Sequence, residues 1–296
     1  MKGWYMRSYP ECVPCIMQQG LRTARIATDD ASVHEQVVRE IVSKLQDFDF
    51  STPPAVNSMI AYDTVATITG NPDPYRAKKR EHNDLALAME PDLDRIVEAA
   101  PDKLRAALQL AAAGNVIDMG LLKSFDIKGA VQQVLEQGFS ADDYAEFVES
   151  LSGAEEVLVV GDNAGEIVFD KPFVRVLAER ARVFYAVKSV PIINDATEED
   201  AEYTGMSGIA TVVPTGTGVI GAPSGSVSDE FRQVLDRSSL VIAKGQGNFE
   251  TMDELPHNIF FILKAKCPAV AHEMGVRLNE VGLVGNRKRL GRARAG

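Results

Sequence analysis

Residues 157–170 read VLVVGDNAGEIVFD. Four apolar residues, Val157 to Val160, stop at Gly161. An acid and an amide, Asp162 and Asn163, follow at once, and then what looks like a helix. A short apolar run bounded by turn residues fits a strand buried on both faces. The glycines suggest a phosphate loop, but the acid argues against one, and the G-x-G-x-x-G pattern is missing.

Similar runs recur after about residue 152, in ARVFYAVK, IATVVPTG, SLVIAKGQ and NIFFILKAK. Helix-like segments such as FDKPFVRVLAER and SDEFRQVLDR separate several of them. Strands alternating with helices predict a parallel sheet covered on both faces. In SADDYAEFVESL, Ser140 with Asp143 three residues on predicts a capped helix start. From Cys15 to about Ala113 the pattern is helical throughout. VHEQVVREIVSKL sets Val33, Val37, Ile41 and Leu45 on one face, while PDLDRIVEAA and PDKLRAALQLAAA each open with Pro-Asp. The expected division is a helical domain over 1–113, an α/β domain over 114–286 and a basic tail over 287–296. No internal repeat is present. GTGVIGAPSG at 216–225 holds a G-x-G-x-x-G match, but no helix opens at its third glycine.

The 296 residues are 45% hydrophobic and 25% charged, enough for a sizeable core. A net charge of −11 argues against a general nucleic-acid binder, because phosphate backbones are neutralised by Lys and Arg. Arg287, Lys288, Arg289, Arg292 and Arg294 form one basic cluster at the C-terminus, read as a solvated tail. No apolar run reaches membrane-spanning length, and the N-terminal stretch lacks a signal-peptide core. Three cysteines do not make a secreted framework, so a reduced, cytoplasmic setting is expected. Cys12 and Cys15 form CVPC, which is a redox pair, half of a metal site, or an inert pair at a helix start.

Ligands of open α/β sheets bind beyond the carboxyl ends of the strands. Lys188, Lys244, and the pair Lys264 and Lys266 follow three of the five strands of an acidic protein, which points to an anion such as phosphate. Asp162 and Asn163 follow the first strand, and Asn194 and Asp195 follow the second, in VPIINDATEEDA. Carboxylate and amide oxygens without His or Cys suit a hard divalent ion such as Mg or Mn. With lysines around it, a metal between Asp162 and Asp195 would serve phosphoryl transfer. Each feature also has an ordinary reading. Asp195 or Thr197 can cap the following helix with Asp200 closing a capping box, Asp162-Asn163 can form a turn, and lysines are common at surfaces. Their coincidence on one sheet edge carries the weight.

Together PECVPC, TGNPDPYRAKK, AAGNVIDMG, GDNAGEIVFD, KSVPIINDATEEDA, KGQGNFE and LKAKCP resemble the damage-control phosphatase family, domain of unknown function 89. The early Cys-x-x-Cys is similar to its prokaryotic subgroup. The resemblance implies a helical N-terminal part on a Rossmann-like, three-layer α/β/α domain with a mostly parallel sheet. It also implies a metal-dependent phosphatase acting on small phosphorylated metabolites, including sugar phosphates and phosphopantetheine-like compounds. Carried over by motif, Asp162, Asn163 and Asp195 hold the metal, which would be Mn, Mg, Co or Ni. Glu166, Asn248 and one of Lys264 or Lys266 contact substrate or position water, and Asn115 and Asp118 border the pocket. Gln246 stands where other subgroups carry an acid. Lys244 and the amides after it are expected to grip the phosphate opposite the metal, with Lys188 at the rim. Water or a carboxylate such as Asp162 is the nucleophile. Two rivals remain at this stage: an S-adenosylmethionine-dependent carboxyl methyltransferase and a non-catalytic sugar-phosphate-binding protein. The second would have no use for two acids. No oligomeric state follows from the sequence.

Overall fold

The computed structural model describes residues 6–116 and 127–287. The chain opens with helices α1 (Cys12–Ala27), α2 (Ala31–Lys44), α3 (Pro54–Asn57), α4 (Met59–Thr69), α5 (Arg76–Leu87), α6 (Glu90–Ala99) and α7 (Lys103–Val116), and then α8 (Ile127–Gln137). Asp30 caps α2 by accepting a bond from Ser32 N, and Pro91 sits in the first turn of α6. Val37 and Ile41 of α2 bury against Ile16 and Ala24 of α1 and Ala61 and Val65 of α4, the apolar face expected from their spacing.

Seven strands follow: β1 (Ala141–Asp142), β2 (Glu156–Val160), β3 (Arg182–Val187), β4 (Thr211–Pro214), β5 (Leu240–Lys244), β6 (Ile259–Lys264) and β7 (Val281–Gly285). They form one sheet in the order β1-β7-β6-β5-β2-β3-β4. Only β6 and β7 pair antiparallel. Between the strands lie α9 (Tyr144–Ser152), α10 (Glu166–Ala178), α11 (Glu198–Tyr203), α12 (Asp229–Arg237), α13 (Gly245–Met252) and α14 (Pro268–Met274). The mostly parallel α/β architecture with a helical N-terminal part is as expected.

Side chains alternate across the sheet. Val157 and Val159 of β2, Val183 and Tyr185 of β3, and Leu240 and Ile242 of β5 enter one core with Ile167 and Phe173 of α10. Leu158, Val160, Phe184, Val241 and Ala243 enter the other, with Phe231 of α12 and Phe249 of α13.

The structure differs from these expectations in several places. The expected helix forms, but Ser140 does not cap it: Asp143 is its N-cap residue, with no side-chain cap bond. The Ser140 and Asp143 amides bond to Val281 O and Leu283 O of β7, so strand pairing wins and the helix starts at Tyr144. β7 itself, read as VGLVG, escaped notice because two glycines interrupt its apolar run. The boundary expected at residue 113 falls inside α7. Leu104 to Ala113, with Leu93 and Val97 of α6, pack into the core of the sheet, whereas α1, α2 and α4 share a separate small core.

Candidate active site

From β2 the chain runs outward to β3 and β4, then returns to place β5 on the opposite side of β2. This reversal opens a crevice at the carboxyl ends of β2 and β5, where doubly wound sheets bind ligands. Gly161, Asp162 and Asn163 leave β2 there, and Gly245 and Gln246 leave β5. Gly161 is required, because a Cβ at that position would lie 2.7 Å from the Tyr185 hydroxyl.

The segment after β3 lies beside Asp162. Ala164 N donates to Asn194 O and Ala196 N to Asp162 O, each at 2.8 Å, and Asn163 bridges to Asp195. Thr197 and Asp200 form the capping box of α11, so Asp195 is left out of the cap. Ile193 has φ 45°, a left-handed backbone that a β-branched residue adopts only under strain. Burial first, then Glu166 and Asp195, push the Asp162 carboxyl well above the carboxylate range, against Lys266 and Lys244. Burial raises Asp195 to about 6, against the pull of Lys188 and Lys79. The site thus holds two desolvated acids, and of these Asp195 has Lys188 at 3.8 Å while Asp162 has no ion-pair partner among the described residues.

Behind them lies a buried charge cluster. Alternation along β5 turns Lys244 toward α10, whose Glu166 and Asp170 stand one turn apart on the facing side. Lys244 is 0% exposed, and its Nζ donates to Glu166 Oε1 at 2.5 Å and Asp170 Oδ1 at 2.6 Å. Burial opposes the ammonium, but the two carboxylates outweigh it and hold Lys244 far above its ordinary value. Asp170 also accepts from Tyr185 Oη at 2.6 Å, and burial raises it to about 6. Lys244 is therefore occupied inside the protein rather than open to a phosphate. The glycine after it serves a different anion from the one expected: a Cβ on Gly245, with φ +79°, would lie 2.1–2.6 Å from the Asp162 carboxyl.

Several expected contact residues turn out to build the site from behind. Asn115, at the end of α7, donates to Asp162 Oδ2 at 3.0 Å and Glu166 Oε2 at 3.1 Å and accepts from Lys264 N at 3.2 Å. It ties the ends of β2 and β6 to α10. Asn163 Nδ2 donates to Asp162 at 2.7 Å and Glu166 at 3.1 Å. Asn248 Nδ2 binds Gly161 O and Lys244 O, joining the two strand ends, while its buried Oδ1 has no protein partner. Lys188 donates to Val219 O and Gly221 O and lies 3.8 Å from Asp195; burial lowers its pKa. It faces inward rather than lying at the rim. Gln246 is engaged at both ends, donating to Glu250 Oε1 at 2.8 Å and accepting from Lys266 N at 3.3 Å. Asp118 lies outside the described residues, as do Lys288, Arg289, Arg292 and Arg294.

In front of the acids opens a cavity of about 460 Å³. Asp162, Asn163, Asp195, Gln246 and Lys266 line one wall, and residues of α1, α3 and α4, among them Cys15, Ala55 and Tyr62, line the other. Lys266 is the one lysine among its described lining, which separates it from Lys264. Asp170 and Glu250 are absent from the sequence reading. Glu166 and Asp170, four apart in a helix otherwise apolar there, are a readable signal for a buried cation between them. Glu250 sits four residues after Gln246 on α13, buried in the cavity wall, where desolvation raises it to about 7.

The chemistry of the wall fits a hard divalent ion. Asp162, Asn163 and Asp195 offer oxygen ligands, and two buried carboxylates side by side would favour a cation between them. Among the described residues no three His, Cys, Asp or Glu side chains stand together at metal-ligating spacing. A cation held by this wall would therefore need the Asn163 amide oxygen as well as the two acids.

The damage-control phosphatase ARMT1-like domain matches residues 8–281. The chain belongs to that family. It is 34% identical over 277 residues to a damage-control phosphatase of Pyrococcus horikoshii, covering 92% of this chain and 95% of that protein. It is 31% identical to a damage-control phosphatase of Archaeoglobus fulgidus, covering 93% and 98%. The crystal structure of a DUF89 family protein from Pyrococcus horikoshii superposes with a TM-score of 0.89 at 32% identity, covering 95% of this chain and all of that one. Among the described residues no helix is long and apolar enough to cross a membrane.

Proposed function

We propose that this protein hydrolyses phosphate monoesters of small metabolites, such as sugar phosphates or phosphopantetheine-like compounds. In this reading Asp162, Asn163 and Asp195 hold a divalent ion, Mn, Mg, Co or Ni. One observation carries the reading: two buried, desolvated acids and an amide share a cavity wall with Lys266, the one lysine among the described lining. The names of the relatives support it. A divalent ion bound there supplies positive charge against the phosphoryl oxygens.

The chain's own residues do the rest. Lys266 binds the phosphate oxygens from the side of α14, and Gln246 holds the Lys266 backbone in place. Asn115 and Asn163 donate to Asp162 Oδ2, which orients that carboxylate toward the cavity's ligand. Glu166 fixes the Asn163 nitrogen and leaves the amide oxygen for the cation. Lys244 pairs with both Glu166 and Asp170 and offsets one of their two charges, which lessens the negative charge behind the wall acids. The α1, α3 and α4 wall excludes water and surrounds the organic part of the substrate.

The test is a panel of phosphorylated metabolites offered to the metal-stripped chain, with and without Mg, Mn, Co or Ni. Phosphate release that requires added metal is expected. Equal release without metal, or none from any substrate with any metal, would overturn the proposal.

A further inference from the structure

All three cysteines of the chain line the cavity, although Cys267 lies far along the sequence from Cys12 and Cys15. Cys12 and Cys15 occupy the first turn of α1, and Cys267 directly follows Lys266. None is bonded to another sulfur. Each thiol is held by a neighbour that also lines the cavity. Tyr9 N donates to Cys12 Sγ at 3.4 Å, Gln19 Nε2 to Cys15 Sγ at 3.3 Å, and Gln246 Nε2 to Cys267 Sγ at 3.7 Å. The set is not spaced as a metal site among the described residues. Residues three apart on a helix share a face, and their Cα atoms lie about 5 Å apart, within the span of a disulfide.

We infer that Cys12 and Cys15 form a reversible dithiol–disulfide couple in the cavity wall, which hydrogen peroxide oxidises and small dithiols reduce. Cys15 is exposed and Cys12 half-buried, so Cys15 meets the oxidant first. The Cys15 thiolate attacks one peroxide oxygen. The S–O bond forms, the O–O bond breaks, and the departing hydroxide takes a proton to leave as water. The Cys12 thiolate then attacks the sulfenic sulfur; the S–S bond forms, the S–O bond breaks, and a second water leaves. Two thiols lose two electrons and the peroxide gains them. Burial, with Glu250 adding to it, raises all three thiols, Cys15 included, so attack and closure are both slow in the resting protein and quicken as pH rises.

Closing the couple draws both sulfurs off their donors. It frees the backbone amide of Tyr9, whose hydroxyl reaches Glu273 of α14 at 3.2 Å, and releases Gln19. The wall from α1 is thereby re-set against the segment that carries Lys266 and Cys267.

The test uses the full chain, reduced and then treated with hydrogen peroxide, and does not depend on phosphatase activity. Maleimide labelling and non-reducing peptide mapping should show two of the three thiols lost, Cys12 joined to Cys15, and full recovery with dithiothreitol. The alkylation rate of Cys267 should differ about threefold or more between the two forms. In Cys12→Ser and in Cys15→Ser, peroxide treatment should leave that rate where it stood in the same reduced variant. Three thiols surviving peroxide at pH 8, a bond to Cys267 or between chains instead, or an unchanged Cys267 rate would each overturn the inference. A chain inactive on every phosphate ester but closing this couple would separate the two proposals.

Discussion

Lys244→Met separates a structural role for this lysine from a phosphate-gripping one. Removing the ammonium leaves Glu166 and Asp170 facing each other, both essentially unexposed. Breaking a buried ion pair on one side costs about 3–5 kcal/mol, because the remaining charge has neither solvent nor partner. At about 2 °C per kcal/mol for a chain of this size, the melting temperature should fall by roughly 6–10 °C. Thermal denaturation of the metal-free protein at pH 7.5, with urea unfolding as a check on reversibility, measures it. The triple change Lys244→Met, Glu166→Gln and Asp170→Asn should recover most of the loss, since neutral, hydrogen-bonded groups replace stranded charges. A Lys244→Met protein melting within about 2 °C of wild type would refute the reasoning.

Lys266→Ala should lower kcat/KM on the best phosphate ester by roughly two or more orders of magnitude, as steady-state kinetics would show, while Lys264→Ala changes it by a few-fold at most. Asp162→Ala and Asp195→Ala should each abolish metal-dependent turnover and the heat of Mn binding in calorimetry, without loss of the folded circular-dichroism spectrum. Glu250 is raised from 4.5 to about 7 in the folded protein. Its stabilising share is therefore complete below about pH 4.5 and lost as pH climbs through 7, on the order of 3 kcal/mol in all. Glu250→Gln should melt with a flatter pH profile than wild type between pH 5 and 8, and parallel profiles would count against that assignment. S-adenosylmethionine titrated into the metal-free protein should give no saturable heat; clear binding would revive the methyltransferase reading.

The residues at the crevice were legible because strand ends are legible. A buried apolar run that halts at Gly161 places Asp162 and Asn163 at a sheet edge without further information. Lys244 shows where that reasoning fails. The apolar run LVIA places it first beyond β5, but it is the last residue within the strand. A strand's final side chain still obeys the alternation that sends Leu240 and Ile242 under α10, so the lysine points into the protein. The spacing of Glu166 and Asp170 was there to be read, but only knowledge that α10 covers β5 makes it a cation site. Lys264 and Lys266 were indistinguishable by pattern, because what separates them is the wall contributed by α1, α3 and α4. No local signal reports a contact across so many residues. β1 and β7 were missed for a related reason: two-residue and glycine-flanked strands owe their existence to their partners more than to their own propensity.

Gly245 carries a consequence for how the site can be probed. Charge substitutions at Asp162 change the electrostatics and the geometry together. A Cβ at position 245 would meet the same carboxyl by steric exclusion, without adding a charge. A methyl group introduced there would press on the Asp162 oxygens and strain the left-handed backbone at φ +79°, while leaving every ionisable group in the chain intact. Gly245 is thus a positional screw on the carboxylate, set by backbone shape alone, and it allows displacement of the acid to be studied apart from its removal.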